Sequence, residues 1–360
     1  MKKKPYSKPS LKKYGTVREL TKAMSVGERI DNGAGPRNMK NCITPAPEIE
    51  EHRHLLMDDV SQGRFKEMIH RHVRPGDVVL DLGTGSGVHA FFACQAGARK
   101  VYAVDSESII EVARETAEAN GFAAQIEFVM SEAEGLELPE KVDVIITNIG
   151  FLNTLTILPD VARRLLKPGG RLIPESVDVQ FTLVDAPKEF ESRVRFWEGK
   201  RYGLDFGSFR RMATNHPLYT EYKPEQLLAE AKSLGPVDYL NFSDEHLEAE
   251  IRLMPKTDGI AHGLGGWYRF WVGDDLLMST EPPLRLDREI WSEIFLPFDQ
   301  PLSIKSGEEL VFRVGMYARG GLNGPFWRWQ AWRGEDKIVD QCSFYATPLS
   351  SEILAKITEH

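Results

Sequence analysis

Between Val78 and Pro174 the sequence alternates strand-like and helix-like segments, and this alternation constrains the fold more than any other feature. The predicted elements are strand Val78–Leu82, helix Val88–Ala96, strand Val101–Asp105, helix Ile109–Asn120, strand Ile126–Met130, strand Val142–Thr147, helix Leu155–Leu166 and strand Arg171–Pro174. Strands that are joined by helices form a parallel sheet with helices packed on both faces. The region is therefore predicted to be an α/β, Rossmann-like domain.

After Pro174 the pattern changes to short strands. Residues Val177–Leu183 alternate apolar and polar side chains, as in a strand with one buried face. Three later segments are also short and strand-like: Trp267–Val272, Ile294–Phe298 and Glu309–Val314. The chain is therefore predicted to contain a Rossmann-like domain over residues 48–175, followed by a mostly antiparallel β-barrel domain over residues 176–360.

Other segments lie outside this alternation. Apolar residues between Glu48 and His72 recur at helical spacing and predict one amphipathic helix with a break at Gly63. Residues Pro224–Leu234 show a further helical pattern. Residues 1–47 contain several prolines and glycines but few large apolar residues, which predicts a flexible arm.

Charge is unevenly distributed along the chain. Residues 1–22 carry a net charge of +7, whereas residues 23–360 carry −15. An acidic body binds nucleic-acid phosphates poorly, so no nucleic-acid partner is expected. No apolar run approaches the roughly 20 residues that span a bilayer, and the lysine-rich start lacks the apolar region of a secretory signal. The three cysteines form no disulfide or zinc pattern. These features predict a cytoplasmic protein without a metal site or membrane contact.

The glycine-rich loop between the first strand and the next helix reads Asp81-Leu82-Gly83-Thr84-Gly85-Ser86-Gly87. Its glycines let the backbone turn tightly and approach a ligand. A dinucleotide fingerprint needs its third glycine at position 88, but that residue is Val88 and the glycine is Gly87. This spacing, with Asp81 two residues before Gly83, favours S-adenosylmethionine over NAD as the cofactor.

Further residues complete the predicted cofactor site. Asp105 ends the second strand about 20 residues after the loop, where a carboxylate accepts both hydroxyls of a ribose. Ser106 follows it, and Glu134 follows the third strand, where a side chain can reach the adenine amine. Structural alternatives stay open for two of these acids, because Asp81 can cap a turn and Glu134 can be a solvated surface residue.

Several segments resemble the protein arginine methyltransferase family. The resemblance covers about residues 48–345 and is carried by His52–Val60, Val79–Gly87, Ala96–Val101, Leu138–Ile146 and Ser306–Glu309. It implies a methyltransferase Rossmann domain, a β-barrel and an inserted helical arm that forms a homodimer. The aromatic segment at about 190–217 occupies the position of that dimerisation arm, with a simple surface helix pair as the alternative.

The resemblance also implies two glutamates after the fourth strand, which hold and activate the substrate guanidinium. Asn148 stands at the first position, and Leu155 or Thr156 at the second. Ser61 replaces the helix arginine that the family offers to the cofactor's carboxylate, and Arg64, one turn later, is predicted to take its place. The paired carboxylates of the family are therefore missing.

Three more pocket candidates follow from the alignment with the family: His54, His262 and Trp291. Trp291 lies in the segment that corresponds to the family's Thr-His-Trp loop, whose histidine is Ile290 here. An isolated histidine or tryptophan also occurs often as a core or surface residue, and that alternative stays open for all three.

The missing glutamates change the expected substrate. A guanidinium is always charged and needs an anionic partner, whereas a carboxylate is already an anionic nucleophile and needs only positioning and a donor. The Asn148 amide is a candidate for that donor, with a purely structural cap as the alternative. Arginine is therefore not the expected acceptor.

The basic arm has a second resemblance, to the leader peptides of lasso-peptide precursors. It is carried by Tyr6, Pro9, Leu11, Gly15, Leu20 and Thr21. A small recognition domain reads such leaders as an added β-strand, and this makes a leader-recognition domain a candidate partner. A chance match within a basic arm is the alternative.

Together these features predict an S-adenosylmethionine-dependent methyltransferase that acts on a peptide or protein. The predicted acceptor is a carboxylate, for example in a ribosomally made peptide of the lasso type. Two alternatives stay open: an arginine methyltransferase with a rearranged site, and a catalytically silent scaffold that binds the cofactor and recruits peptide-processing proteins.

Overall fold

A computed structural model describes residues 47–242, 246–282, 292–317 and 326–346, all within one compact unit, Arg37–His360. The leader-like arm before Pro47 and the pocket candidate Trp291 lie outside the described residues. Of the helices within these ranges, none is long and apolar enough to cross a membrane. The same ranges contain no group of histidine, cysteine and acidic residues that could hold a metal ion.

Five parallel strands form the first sheet, in the order β3-β2-β1-β4-β5. Their bounds are β1 Val78–Leu82, β2 Lys100–Asp105, β3 Ile126–Met130, β4 Val142–Thr147 and β5 Leu166–Ile173. All five residues of β1 are buried, as expected for a central strand that is covered on both faces. The strand order reverses between β1 and β4, and the carboxyl ends of these two strands border the crevice where such sheets bind ligands.

Five helices accompany this sheet: α1 Pro47–Met57, α2 Asp59–His72, α3 Val88–Gln95, α4 Ile109–Ala119 and α5 Phe151–Leu165. One helix with a break at Gly63 was predicted over residues 48–72, but the break lies at Asp58 and separates two helices. The Asp58 carboxylate accepts a hydrogen bond from the Ser61 backbone N–H at 2.9 Å and starts α2 as its N-cap. Gly63 lies inside α2 and does not interrupt it.

Helix α5 differs from its predicted bounds at both ends. It begins at Phe151, four residues before the predicted start, with Gly150 as its N-cap. The Thr154 hydroxyl donates to the Gly150 carbonyl at 2.8 Å within the first turn. The helix ends at Leu165, so β5 starts at Leu166. The loop after β4 is consequently only three residues long.

The residues after Pro174 form two antiparallel sheets and one small hairpin, which agrees with the predicted barrel-like second half. The larger sheet contains β6 Ser176–Val184, β9 Leu218–Thr220, β10 Lys232–Ser233, β11 Val237–Asp238, β13 Gly259–Val272, β14 Asp275–Ser279 and β15 Glu293–Ile304. The second sheet contains β12 His246–Leu253, β16 Leu310–Tyr317, β17 Phe326–Arg333 and β18 Asp336–Cys342.

The helix predicted over Pro224–Leu234 is wrong. The segment forms only a 3₁₀ turn, Pro224–Gln226, and then the strand β10. Leu227 bridges to Val184, and Lys232 pairs with Phe181. Antiparallel pairing with β6 therefore overrides the helical spacing of the apolar residues.

An arm is inserted between β6 and β9, where the sequence predicts it. It consists of α6 Pro187–Arg193, a 3₁₀ turn Arg195–Trp197, the hairpin strands β7 Lys200–Arg201 and β8 Leu204–Asp205, and α7 Ser208–Thr214. Arg210 of α7 forms ion pairs with Glu198 at 2.8 Å and with Asp299 of β15 at 2.6 Å. These contacts fix the arm to the larger sheet.

The parallel sheet and the antiparallel sheets share one buried core. Phe151, the first residue of α5, packs on Tyr268 of β13 with ring centroids 4.5 Å apart, and Trp327 of β17 lies 6.5 Å away. Aromatic contacts of this kind add to the stabilisation from burial. The loop after β4 is thereby held against the barrel.

Candidate functional site

The glycine loop after β1 meets Asp105 at the carboxyl end of β2. The Gly85 N–H donates to Asp105 Oδ2 at 2.8 Å, and the Glu107 N–H donates to Asp105 Oδ1 at 3.0 Å. A carboxylate offers about four lone-pair sites, so each oxygen still has capacity for a further donor. Asp105 is half-buried and can accept a diol in the position that the sequence predicts.

The loop has space only for glycine at two positions. Gly83 and Gly85 have φ angles of +74° and +51°, in the left-handed region that side chains rarely adopt. A Cβ on Gly83 would lie 2.1 Å from Ile149 Cγ2, and a Cβ on Gly85 would lie 2.7 Å from His52 Cε1. Side chains of α1 and of the loop after β4 therefore lie directly over the glycines.

His52 lies over the glycine loop, and the sequence reasoning did not single it out. The prediction chose His54 on the same helix, but it is the His52 ring that a side chain on Gly85 would meet. His54 is half-buried, and its Nε2 lies 2.8 Å from Nη2 of Arg53. The signal that could have identified His52 is its place at the start of the segment that resembles the methyltransferase family.

Asp81 is fully buried beneath the loop. Its Oδ2 accepts hydrogen bonds from the Thr84 hydroxyl at 2.6 Å and from the Ala90 N–H at 3.0 Å. This oxygen therefore caps the turn, as the structural alternative for Asp81 predicts. Its Oδ1 is buried and has no hydrogen-bond partner within the described part of the chain. Burial raises the pKa of Asp81 to about 7, and one acceptor oxygen stays available for a ligand or a water molecule.

A small cavity lies next to the crevice, between the loop after β4, helix α2 and the barrel. It is lined by Phe65, Thr147, Asn148, Gly150, Thr154, Pro174, Phe270, Leu277 and Met278. None of these lining residues is charged. The Thr147 hydroxyl donates to the Leu82 carbonyl at 2.9 Å, and the Thr154 hydroxyl donates to Gly150. The Asn148 side chain is therefore the lining group best able to donate a hydrogen bond to a ligand.

The amino end of helix α5 borders this cavity through Gly150. The helix is 15 residues long, its first turn holds no acidic residue, and no side chain caps it. The first N–H groups of a helix lack partners within the helix, and the helix dipole places partial positive charge there. The two positions that correspond to the family's second glutamate differ in burial, because Leu155 is a core residue and Thr156 is exposed. The cavity therefore has a positive helix end and no carboxylate among its described residues.

Three other predicted residues make no described hydrogen bond to the glycine loop. Arg64 of α2 donates from Nη1 to the Leu276 carbonyl of β14 at 3.2 Å. Ser106 and Glu134 are exposed, and no hydrogen bond connects either side chain to the loop in the part of the chain that the structure describes.

His262 lies at the base of the arm. Its Nδ1 accepts a hydrogen bond from the Ala186 N–H at 3.3 Å and lies 3.2 Å from Asp185 Oδ1. Burial lowers its pKa. Phe270, which lines the cavity, is eight residues further along the same strand, or about 26 Å for a straight strand. The structure therefore does not bring His262 to the cavity.

Comparison with known proteins supports the same architecture. The family model for ribosomal protein L11 methyltransferase matches residues 66–176, and the model for the arginine methyltransferase oligomerization subdomain matches residues 179–320. Protein arginine N-methyltransferase 1 of Dictyostelium discoideum is 27% identical over 273 residues, which cover 71% of this chain and 78% of the relative.

Solved structures give the same result. The Trypanosoma brucei PRMT1 enzyme–prozyme heterotetrameric complex with AdoHcy contains a chain that is 25% identical, with a TM-score of 0.71 and coverage of 81% of this chain and 96% of that chain. Protein arginine methyltransferase 10 of Arabidopsis thaliana is 20% identical, with a TM-score of 0.68 and coverage of 82% and 98%. The chain thus has the protein arginine methyltransferase fold. It is a class I S-adenosylmethionine-dependent methyltransferase.

Proposed function

We propose that this S-adenosylmethionine-dependent methyltransferase acts on a peptide or protein at a carboxylate and not at arginine. The observation that carries the proposal is the charge around the small cavity beside the crevice, whose lining residues are uncharged and which lies at the uncapped amino end of α5. The cofactor supplies the methyl group. The residues of the chain bind the cofactor and select the group that receives the methyl.

A guanidinium fits this cavity poorly. It stays protonated because its pKa exceeds 12, and burial of an unpaired cation costs several kcal/mol. Asn148 offers an amide where the related family has a glutamate, and Leu155 and Thr156 offer no anion either. The positive end of α5 adds to the unfavourable interaction.

A carboxylate fits the same features. It is ionised at pH 7 and needs no general base before it attacks a methyl group. The N–H groups at the start of α5 and the Asn148 side-chain amide can donate hydrogen bonds to it. In this arrangement Asn148 orients one oxygen, while the other oxygen is free to act as the nucleophile.

The cofactor is assigned to the glycine-loop side of the crevice. Asp105 would accept the ribose hydroxyls, and the unpartnered Oδ1 of Asp81 suits the cofactor's ammonium group, directly or through a water molecule. Gly83, Gly85 and Gly87 leave room for the ligand beside the backbone. His52, Ser106, Glu134 and Arg64 are proposed as additional contacts, and His54 and Trp291 stay predictions as pocket residues.

Arginine methylation is the second candidate, because the relatives named above are arginine methyltransferases. In this alternative the bound peptide or a rearranged loop supplies the anion that the described cavity lacks. Mass spectrometry separates the two candidates, since a methyl ester is lost in mild alkali and a methylated guanidine survives. Methyl transfer to any acceptor would also exclude the silent scaffold.

The arm is proposed to form a homodimer. Trp197 and Phe209 stack with ring centroids 5.0 Å apart, while Phe196 and Phe209 stay 41% and 44% exposed and Tyr202 is 99% exposed. Exposed aromatic clusters of this kind are typical of interfaces, and the match to an oligomerization subdomain is consistent with this role. Light scattering should show a dimer for the intact chain and a monomer after deletion of residues 196–209; a monomeric intact chain would contradict the proposal.

The leader-like arm is the basis for a proposal about the substrate. We infer that residues 1–22 connect the enzyme to a peptide-processing pathway in the cytoplasm, either as a docking sequence or as a substrate. Binding of a purified leader-recognition domain to the full chain would support docking. Equal binding to a chain that lacks residues 1–22 would contradict it.

A further inference from the structure

We propose that Gln341 of β18 positions the inserted arm for dimerisation, through a set of hydrogen bonds and ion pairs that we call the arm network. The arm network consists of Arg210, Asn215, Asp299 and Gln341. The inference rests on the proposed homodimer, because it concerns how a single chain prepares its arm to bind a second copy. It follows from the way the last helix of the arm joins the barrel.

The second helix of the arm, α7, is too short to be stable by itself. It has seven residues, Ser208–Thr214, and Thr214 is the only buried one among them. Isolated helices shorter than about 12 residues are marginal in water. The position of α7 therefore depends on its contacts with the rest of the chain.

Gln341 holds the end of this helix. Its side chain is 4% exposed, and its Nε2 donates to the Thr214 carbonyl and, at 3.0 Å, to the Pro297 carbonyl of β15. Its Oε1 accepts a hydrogen bond from the Asp299 N–H at 3.1 Å. Both N–H groups and the oxygen of the amide are therefore engaged. One amide thus joins the arm to two positions of the larger sheet.

Asn215, the C-cap of α7, adds a second connection. Its Oδ1 accepts a hydrogen bond from the Cys342 N–H of β18 at 2.9 Å, and its Nδ2 donates to the Arg211 carbonyl of α7 at 2.9 Å. Asn215 is buried, so loss of these bonds would leave buried polar groups without partners. The end of α7 and the strand β18 are therefore connected by two buried side-chain amides.

The arm network extends from the end of α7 to the aromatic residues of the arm. Asp299 of β15 forms an ion pair with Arg210 of α7 at 2.6 Å, and Arg210 forms another with Glu198 at 2.8 Å. Glu198 directly follows Trp197 in the chain. Arg210 directly follows Phe209, whose ring stacks on that of Trp197. The arm network therefore sets the position of this aromatic stack relative to the barrel.

A rigid arm binds a partner at a lower entropic cost than a flexible one. Ordering of a mobile segment on binding subtracts from the affinity, so an arm that is already ordered in the single chain gives a tighter dimer without any new contact. Gln341 is buried within the single chain. It is therefore expected to control the dimer affinity through the arm and not as a contact of its own.

Gln341→Met in the full-length chain tests this role. Methionine is unbranched and of similar length, so the variant removes three hydrogen bonds but keeps most of the packing. We expect amide hydrogen exchange of residues 208–214, measured by mass spectrometry, to become about tenfold faster. The dimer dissociation constant, measured by sedimentation equilibrium, should rise by about tenfold.

Gln330→Met is the matched control. Gln330 of the neighbouring strand β17 is 6% exposed and donates from Nε2 to Asp340 Oδ1 at 2.8 Å. Within the described ranges it forms no hydrogen bond with the arm. The control variant also loses a buried amide, but it should leave both the exchange of residues 208–214 and the dimer dissociation constant unchanged.

Asp299→Asn decides the question if Gln341→Met fails to fold. The Asp299 side chain is exposed, and the substitution removes its charge while its shape is kept. It weakens the ion pair with Arg210 and should raise the dimer dissociation constant by about threefold. An unchanged dissociation constant in the variants that fold, with a dimeric wild type, would overturn the role of Gln341 and the arm network. A wild type that is monomeric at every concentration would instead refute the proposed homodimer.

Discussion

The two sides of the crevice differ in how they hold charge. The side proposed for the cofactor contains two carboxylates, and Asp105 is held by the Gly85 N–H while Asp81 is buried below the loop. The side proposed for the acceptor has uncharged lining residues and the amino end of α5. Under the proposal, the glycine loop keeps its role in cofactor binding while the loop after β4 selects a negatively charged acceptor. This comparison leads to the following tests, in order of decreasing expected effect.

The strongest test of the cofactor side is Gly85→Val. A side chain at this position would meet His52 and the space that the ligand needs, and the φ of +51° disfavours valine. We expect S-adenosylmethionine binding to weaken by about 1.5–3 kcal/mol, measured by calorimetry. Gly121→Ala is the control, since Gly121 also has a positive φ but nothing lies within 4 Å of its added Cβ. Equal affinities in the wild type, Gly85→Val and Gly121→Ala would show that the loop does not bind the cofactor.

Asp105→Ala tests the ribose contact. Loss of a charge-assisted pair of hydrogen bonds should weaken cofactor binding by about 2 kcal/mol. The variant also removes the acceptor for the Gly85 and Glu107 N–H groups. Asp105→Asn keeps one acceptor oxygen and should lose less affinity. If NAD binds the wild-type chain more tightly than S-adenosylmethionine does, the cofactor assignment fails.

The buried Asp81 predicts a pH effect on stability. Its pKa in the folded state is about 7, above the ordinary value of 3.8. At a pH between these two values the folded state keeps the Asp81 proton, whereas the unfolded state has released it. The free energy of unfolding should therefore fall as the pH rises from 5 to 7.5, by about 2 kcal/mol relative to Asp81→Asn. Denaturant titrations of both proteins at the two pH values measure this difference. A pH-independent difference would mean that the Asp81 pKa is not raised.

Asn148→Ala tests the acceptor side. Because the amide is proposed to orient the acceptor carboxylate, the substitution should lower kcat by about tenfold. Cofactor affinity should stay within twofold of the wild-type value. Thr156→Ala serves as the control, since Thr156 lies in the following helix α5, is exposed and does not line the cavity. A fall in cofactor affinity without a fall in kcat would assign Asn148 to the cofactor side.

The placement of the glycine loop follows from the sequence more directly than the cavity does, and the reason is physical. Glycine spacing and a strand-end carboxylate depend on local backbone geometry, so the loop follows β1 and meets Asp105 at the end of β2, as the sequence predicts. The cavity depends on tertiary packing, and its walls include Phe270 and Met278 from the distant barrel. No local pattern brings these residues together.

Helix boundaries show the same limit. The break at Asp58 depends on one side-chain cap, and the glycine at position 63 is a weaker signal than that cap. The segment Pro224–Leu234 has helical spacing, but pairing with β6 decides its structure. His262 was predicted as a pocket residue by alignment alone, and its strand carries it to the base of the arm.

Location of the transferred methyl group tests the central claim most directly. Wild-type enzyme and Asn148→Glu are incubated with S-adenosylmethionine and two peptides, one rich in aspartate and one rich in Arg-Gly repeats, and the products are analysed by mass spectrometry before and after mild alkali. We predict base-labile methylation of the acidic peptide by the wild type, and weaker ester formation by Asn148→Glu because like charges repel. Robust, base-stable methylation of arginine by the wild type would contradict the account.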